Sequence, residues 1–354
     1  MKFKVLGAAL LSCALLLGCG DKAATTAKAP APMVKIQGKT MGTFYTVTIP
    51  GTYEGGEEAL RKISEEAFKE VSDAISTFDP NSEIARFNAF ASTEPFPISN
   101  YLADIIEEGN RQSLMIGGVM DFSVGPLVNL WGFGPEGRPE KVPSEEEISA
   151  VRAYVGHDKY ELRRENGKAY LRKADPRVKL DLSTVGEGLG ADLLAQKLDD
   201  KKVPAYMIAI AGAIRTKGNN PQGKPWKVGI EDPKGEGIYA AVCPLGDGMS
   251  TAGSYRNFFI DKETGKRYSH AIDPRTGKPI DHYTVSVTVI APLTLITDAL
   301  DTGLLVLGAK EAVEWGNKTD HAVYAIEMDK DGKAAASYSR AFEPYLKCQI
   351  NNKR

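Results

Sequence analysis

The sequence predicts an α+β fold of mixed sheets and packed helices in two closely associated lobes, and three observations carry that prediction. Apolar and polar residues alternate in several short segments, as from Tyr283 to Ile290, which marks strands. In others the apolar residues recur at helical spacing, as at Leu60, Ile63, Ala67, Val71, Ala74 and Ile75. The two kinds of segment interleave without a regular βαβ repeat. A chain of 354 residues, 42% hydrophobic and 25% charged, is long enough for a substantial core and too apolar for wholesale disorder. The net charge of -2 and the lack of a basic cluster argue against nucleic acid as a partner.

The N-terminus reads as an address. Lys2 and Lys4 precede an uncharged apolar run from Val5 to Gly18, and a small residue stands immediately before Cys19. That is the pattern of a bacterial lipoprotein signal over residues 1–18, with Cys19 acylated as the new N-terminus. Plain cleavage near Ala23-Ala24 is the alternative. Residues 19–32, rich in Ala, Thr, Lys and Pro, read as a flexible tether, and residues 33–354 as the folded body. Cys243 and Cys348 remain there, and their spacing leaves open whether they pair.

Along the body, Met33 to Pro50 reads as a bent strand pair and Glu57 to Phe78 as a long amphipathic helix. Tyr101 to Ile116 is a further helix, and Glu145 to Val155 another, opened by Ser144 as N-cap and an acidic first turn. Lys159 to Glu165 and Lys168 to Lys173 form a hairpin around Asn166-Gly167. Val178 to Asp181 then reads as a strand entering a turn, Ser183 to Gly188, and a helix to Leu198, a junction that presents backbone N–H groups to anions. Ala205 to Arg215, Trp226 to Glu231 and Tyr239 to Leu245 read as strands.

From Tyr283 to Ala309 the only charged residues are Asp298 and Asp301. On a helix from Leu293 to Leu307 they share one stripe with Thr302, opposite Ile296, Ala299, Leu300 and Leu307. A stripe facing water would be flanked by Lys or Glu at Leu305 and Ala309. Burying two like charges a turn apart is costly unless a cation or strong donors compensate, and carboxylate plus hydroxyl oxygen suits Mg²⁺. The competing reading is an acidic helix start interacting with its own dipole. Two loops frame the stripe. Met249 to Asn257 carries hydroxyls, a glycine and an arginine, the donors a phosphate needs. Ser269 to Gly277 places His270 beside a proline turn, which alone reads equally as a hairpin turn with incidental polar residues. His157, His282 and His321 lack a comparable setting.

Taken in order, these segments resemble the FAD:protein FMN transferase (ApbE) family. The resemblance runs through Lys39 to Thr43, Ser82 to Ile84 with Asn88, Met120 to Leu127, Trp131 to Gly134, Asp181 to Asp192, Ser250 to Asn257, Ser269 to Gly277 and Asp298 to Thr302. It implies a Mg²⁺-dependent enzyme that splits FAD, releases AMP and leaves FMN as a phosphoester on a threonine or serine of another protein. The acceptors it implies are subunits of membrane redox complexes of the sodium-pumping NADH:quinone reductase and Rnf types. With the signal, it implies a lipid-anchored place on the periplasmic side of the inner membrane.

Carried onto this chain, the resemblance makes Asp298, Asp301 and Thr302 the metal ligands, helped by the backbone carbonyl of Thr184. Met41, Phe78, Val119, Met120, Asp121, Asp181, Glu187 and Ile272 would contact the flavin nucleotide, and His270 would be the base on the incoming hydroxyl. Phe78, a lone aromatic at a helix end, reads from its own context as core. The chain departs from many members by carrying Glu187 in place of a lysine, and Ala211-Gly212-Ala213 in place of a Gly-Gly-acid triplet. An FAD pyrophosphatase giving FMN and AMP, and a non-catalytic lipid-anchored flavin-binding protein, are the competing functions.

Overall fold

The computed structural model describes residues 32–134 and 142–348. The signal segment, Cys19 and the tether up to Ala31 lie outside the described residues. Eight strands form one sheet whose spatial order is the chain order: β1 (Met33–Thr40), β2 (Thr43–Pro50), β3 (Tyr206–Ile210), β4 (Ala213–Lys217), β5 (Gly248–Gly253), β6 (Thr284–Ala291), β7 (Ala322–Met328) and β8 (Ala334–Tyr338). Every neighbouring pair is antiparallel. The N-terminal and C-terminal parts expected as two lobes thus share one sheet.

Helices fill the excursions between neighbouring strands. Between β2 and β3 lie α1 (Gly56–Ile75), α2 (Glu83–Ala89), α3 (Asn100–Met115), α4 (Gly125–Leu130), α5 (Glu145–Arg152) and α6 (Gly186–Asp200). Between β6 and β7 lie α7 (Thr294–Leu307) and α8 (Ala309–Thr319). Local chemistry sets several boundaries as the sequence predicts. Ser144 and Glu147 form a reciprocal capping box at the start of α5. The hairpin of Tyr160–Glu165 and Lys168–Lys173 turns at Asn166-Gly167, both with positive φ.

The sheet is covered on both faces. Val323 and Ala325 of β7 pack with Val287 and Val289 of β6 against Leu300 and Leu304 of α7. The alternate residues Tyr324 and Ile326 join Ile290, Val228, Val242 and Phe342 on the other face. All eight residues of β6 are therefore buried, including the threonines that alternate along it. Their hydroxyls are paired: Thr288 with Thr251 at 2.9 Å, while Thr284 accepts the Ala309 N–H at 2.8 Å. A disulfide joins Cys243 to Cys348, 105 residues apart.

Two segments differ from the sequence reading. Ala205 to Arg215 is not one strand but the hairpin β3–β4, reversed at Ala211-Gly212 with Ala211 at φ 44. Alanine rarely adopts that conformation, so the pattern carries no turn signal. Val178 to Asp181 is irregular backbone rather than a strand. In place of a strand neighbour, the Asn88 side chain serves both of Leu180's backbone groups, donating to its carbonyl and accepting from its N–H, each at 2.8 Å.

Candidate active site

The stripe on α7 is buried as its lack of flanking charge predicts. Asp298 is 6% and Asp301 2% exposed. Helix α6 packs against α7 closely enough that a Cβ on Gly188 would lie 2.5 Å from the Thr294 carbonyl oxygen and 2.9 Å from the Asp298 Cβ. That approach lets the Gly188 N–H donate to Asp298 Oδ2 at 2.7 Å, while Ser250 Oγ donates to Oδ1 at 2.8 Å. Thr302 Oγ1 donates to Asp301 Oδ1 at 3.2 Å and accepts from Thr184 Oγ1 at 3.0 Å. Ser250 belongs to strand β5 rather than to a loop, so the expected Met249 to Asn257 loop begins only after Gly253.

Burial pushes the Asp298 carboxyl well above the usual carboxylate range, and the charge of Glu187 adds to it. Burial, then the charge of Asp298, raises Asp301 in the same way. Glu187 is pushed up to about 7 by burial, against a hydrogen bond from the Gly212 backbone that favours its ionised form. Among the described residues no lysine or arginine is ion-paired to Asp298 or Asp301. Nor do three His, Cys, Asp or Glu side chains there form a ready-made metal cluster. Two carboxylates with the Thr302 and Thr184 hydroxyls beside them are a hard-oxygen donor set that suits Mg²⁺.

These groups line a cavity of about 900 Å³. Of the residues singled out in the sequence, Phe78, Val119, Met120, Asp121, Asp181, Thr184, Glu187, His270, Ile272, Asp298, Asp301 and Thr302 all face it. Phe78 is 75% exposed on its wall, which corrects its reading as core: α1 ends at Ile75 and leaves the ring beyond the helix. Met41 lies outside the lining, in the β1–β2 turn with φ 46, and packs over Gly186 and Gly190 of α6. The segment around Met120 reaches the acids because α7 has Gly303 there; a Cβ would lie 2.2 Å from Ile116 Cδ1 and 3.2 Å from Met120 Cβ.

His270 sits on the same cavity. Its Nδ1 is 3.0 Å from the Asn257 carbonyl, which can only accept, so Nδ1 carries the proton and Nε2 is left with a lone pair. Burial holds its pKa below 6.5, and the ring is neutral at pH 7. Two of the N–H groups in the turn after Asp181 are taken by the protein's own carboxylates: Ser183 donates to Asp181 at 2.9 Å and Gly188 to Asp298. The anion-binding role read from that turn is reduced accordingly.

Sequence reasoning missed two residues. Glu231 lines the cavity and accepts from Tyr255 OH at 3.0 Å and from Arg256. His157, without a setting in the sequence, has Nε2 3.1 Å from the Met120 carbonyl and 3.0 Å from Ser113 Oγ, directly behind the cavity wall. These contacts join residues 24 to 44 positions apart, so local pattern gave no signal.

A sequence model of the ApbE family matches residues 41–326. The FAD:protein FMN transferase of Escherichia coli is 41% identical over 326 residues, covering 91% of this chain and 92% of that one. The Vibrio cholerae protein of the same name is 38% identical over 344 residues, covering 96% and 98%. Among solved structures, the flavin transferase ApbE from Vibrio cholerae superposes with a TM-score of 0.81 at 37% identity, covering 90% of this chain and all of that one. The apo flavinyl transferase ApbE of Pseudomonas stutzeri gives 0.81 at 32% identity, covering 90% and 98%. With a family match over most of its length and relatives alike along nearly the whole chain, this protein belongs to the ApbE family.

Proposed function

We infer that this enzyme is an FAD:protein FMN transferase, passing the FMN half of FAD to a threonine or serine hydroxyl of a second protein and releasing AMP. The observation that carries the reading is the meeting of Asp298 and Asp301 with a neutral, oriented His270 on one cavity of about 900 Å³. The acceptor hydroxyl oxygen attacks the flavin-side phosphorus, and its proton goes to His270 Nε2. The bond from that phosphorus to the bridging oxygen breaks, and AMP leaves with the bridging oxygen. Asp298, Asp301, Thr302 and the Thr184 carbonyl would hold Mg²⁺, which when bound offsets the charge that builds on the diphosphate. Ser250 and the Gly188 N–H fix Asp298 for that duty.

Phe78, Val119, Met120, Asp121, Asp181, Glu187 and Ile272 form the walls for the dinucleotide, and Met41 supports them from behind α6. The acceptors we propose are subunits of membrane redox complexes of the NADH:quinone reductase or Rnf type. The enzyme reaches them from a lipid anchor at Cys19 on the periplasmic side of the inner membrane. The Cys243–Cys348 disulfide supports an oxidising compartment.

The test is incubation with FAD, Mg²⁺ and an acceptor domain, followed by gel fluorescence and nucleotide analysis. Transfer gives fluorescent acceptor and equimolar AMP. Free FMN with unlabelled acceptor would make the protein a pyrophosphatase, and FAD bound without AMP would make it a carrier.

A further inference from the structure

Helix α7, which carries both acids, begins without a cap of its own: Leu293 stands at the N-cap and has no acceptor to give. The acceptor comes from α6. Asp192 Oδ1 takes the Thr294 N–H at 3.0 Å, and Oδ2 takes the Leu295 N–H at 2.9 Å. Arg215 of β4 backs this contact, its Nε 3.7 Å from Asp192 Oδ1 and its guanidinium donating to the Pro292 carbonyl. One turn before Asp192, Gly188 grips Asp298 through its N–H. Residues i and i+4 of α6 thus hold α7 at its first turn and at its first acid. A helix is a stiff rod with about 1.5 Å rise per residue, so fixing its start fixes the height and rotation of side chains four and seven residues on.

We propose that Asp192 is a positioning residue for the metal-holding pair. By taking the first two amides of α7, with Arg215 anchoring both Asp192 and the preceding turn, it sets where Asp298 and Asp301 present their oxygens. Asp192 itself lies outside the cavity lining, so it does not touch the metal; it acts through its hold on α7 and, more weakly, through its charge on Asp298, and Asp192→Asn, which removes the charge but keeps an acceptor, separates the two. The proposal rests on reading Asp298 and Asp301 as the magnesium ligands.

Calorimetric titration with Mg²⁺ alone, run well below the melting temperature of each variant, separates positioning from mere capping. Asp192→Ala weakens Mg²⁺ binding by about tenfold or more, the usual size for a lost outer-shell support, and lowers the melting temperature. Asp192→Asn keeps an acceptor for one amide and stays within about threefold of wild type. In Asp192→Ala with Leu293→Ser, the serine caps α7 from its own chain at a position 44% exposed. That double variant regains melting temperature but not Mg²⁺ affinity, because the new cap ties α7 to nothing else. Wild-type affinity in Asp192→Ala, or recovery of affinity together with stability in the double variant, would overturn the proposal and leave a simple helix cap. Asp298→Ala abolishes the binding heat; were it to bind as wild type does, the ligand reading itself would fail and the proposal with it.

Discussion

Asp301 is 2% exposed and a turn from another buried acid, so in the metal-free protein it opposes folding whenever it is charged. Asp301→Asn keeps the shape and removes that charge. The expected result is a loss of FMN transfer of about a hundredfold or more, with the metal-free protein about 1–2 kcal/mol more stable at pH 8 by denaturant titration. A variant both inactive and less stable would mean that the carboxylate is held by donors rather than waiting for a cation. The same physics fixes a pH dependence. Asp298, Asp301 and Glu187 all have folded pKa values above their unfolded ones, so between the two values the unfolded chain has already released protons that the folded protein keeps. Stability of the metal-free protein therefore falls as pH rises, for Glu187 across the window from 4.5 to about 7. Melting curves in EDTA should shift down by several degrees from pH 5 to pH 8. Mg²⁺ should restore the loss at pH 8 and do little at pH 5, where protons occupy the carboxylates proposed to bind it.

At the scale of elements, the α6–α7 contact decides the site. Gly188→Ala places a methyl 2.5 Å from the Thr294 carbonyl oxygen, on backbone that cannot swing aside. The helices must separate, at a cost of about 1–3 kcal/mol, and the Gly188 N–H draws away from Asp298. Metal affinity should fall with stability, in contrast to Ser144→Ala in the capping box of α5, which costs about 1 kcal/mol and leaves metal affinity unchanged. Calorimetry on the two variants makes the comparison. The elements legible in the sequence are those whose signals are local: the β1–β2 pair, α1, α3, α5 with its Ser144 cap, the Asn166-Gly167 hairpin and α7 with its acids. Those that were not depend on distant partners. Val178 to Asp181 is held by Asn88, 92 residues away, and Ala211 bends into a turn with the Gly212 N–H directed to Glu187. Burial of the acids could be read because charge is missing around them. The support from Ser250 and Asp192 could not, because each comes from another element.

For the whole molecule, a sheet laid down in chain order still brings distant parts together, since β2 and β3 are neighbours across the excursion that holds α1 to α6. The cavity that holds the two buried acids therefore draws on both sides of that excursion, and its assembly depends on the cooperative stability of the whole body. The Cys243–Cys348 bond closes a loop spanning 105 positions, and that loop contains His270, Asp298 and Asp301. A cross-link over so long a loop acts mainly by restricting the unfolded chain, which predicts about 2–4 kcal/mol of stability. The folded site is also held by contacts independent of the sulfurs, among them Tyr255 with Glu231, Ser250 with Asp298, and Asp192 with α7. Replacing both cysteines by serine should therefore lower the melting temperature by several degrees and speed proteolysis. At 25 °C, well below melting, the transfer rate and the Mg²⁺ concentration for half-maximal activity should stay within about twofold of wild type. A parallel fall in rate at that temperature would show instead that the bond shapes the cavity directly, through the 238–242 strand that it terminates and the neighbouring strand that carries Ile230 and Glu231 to the wall.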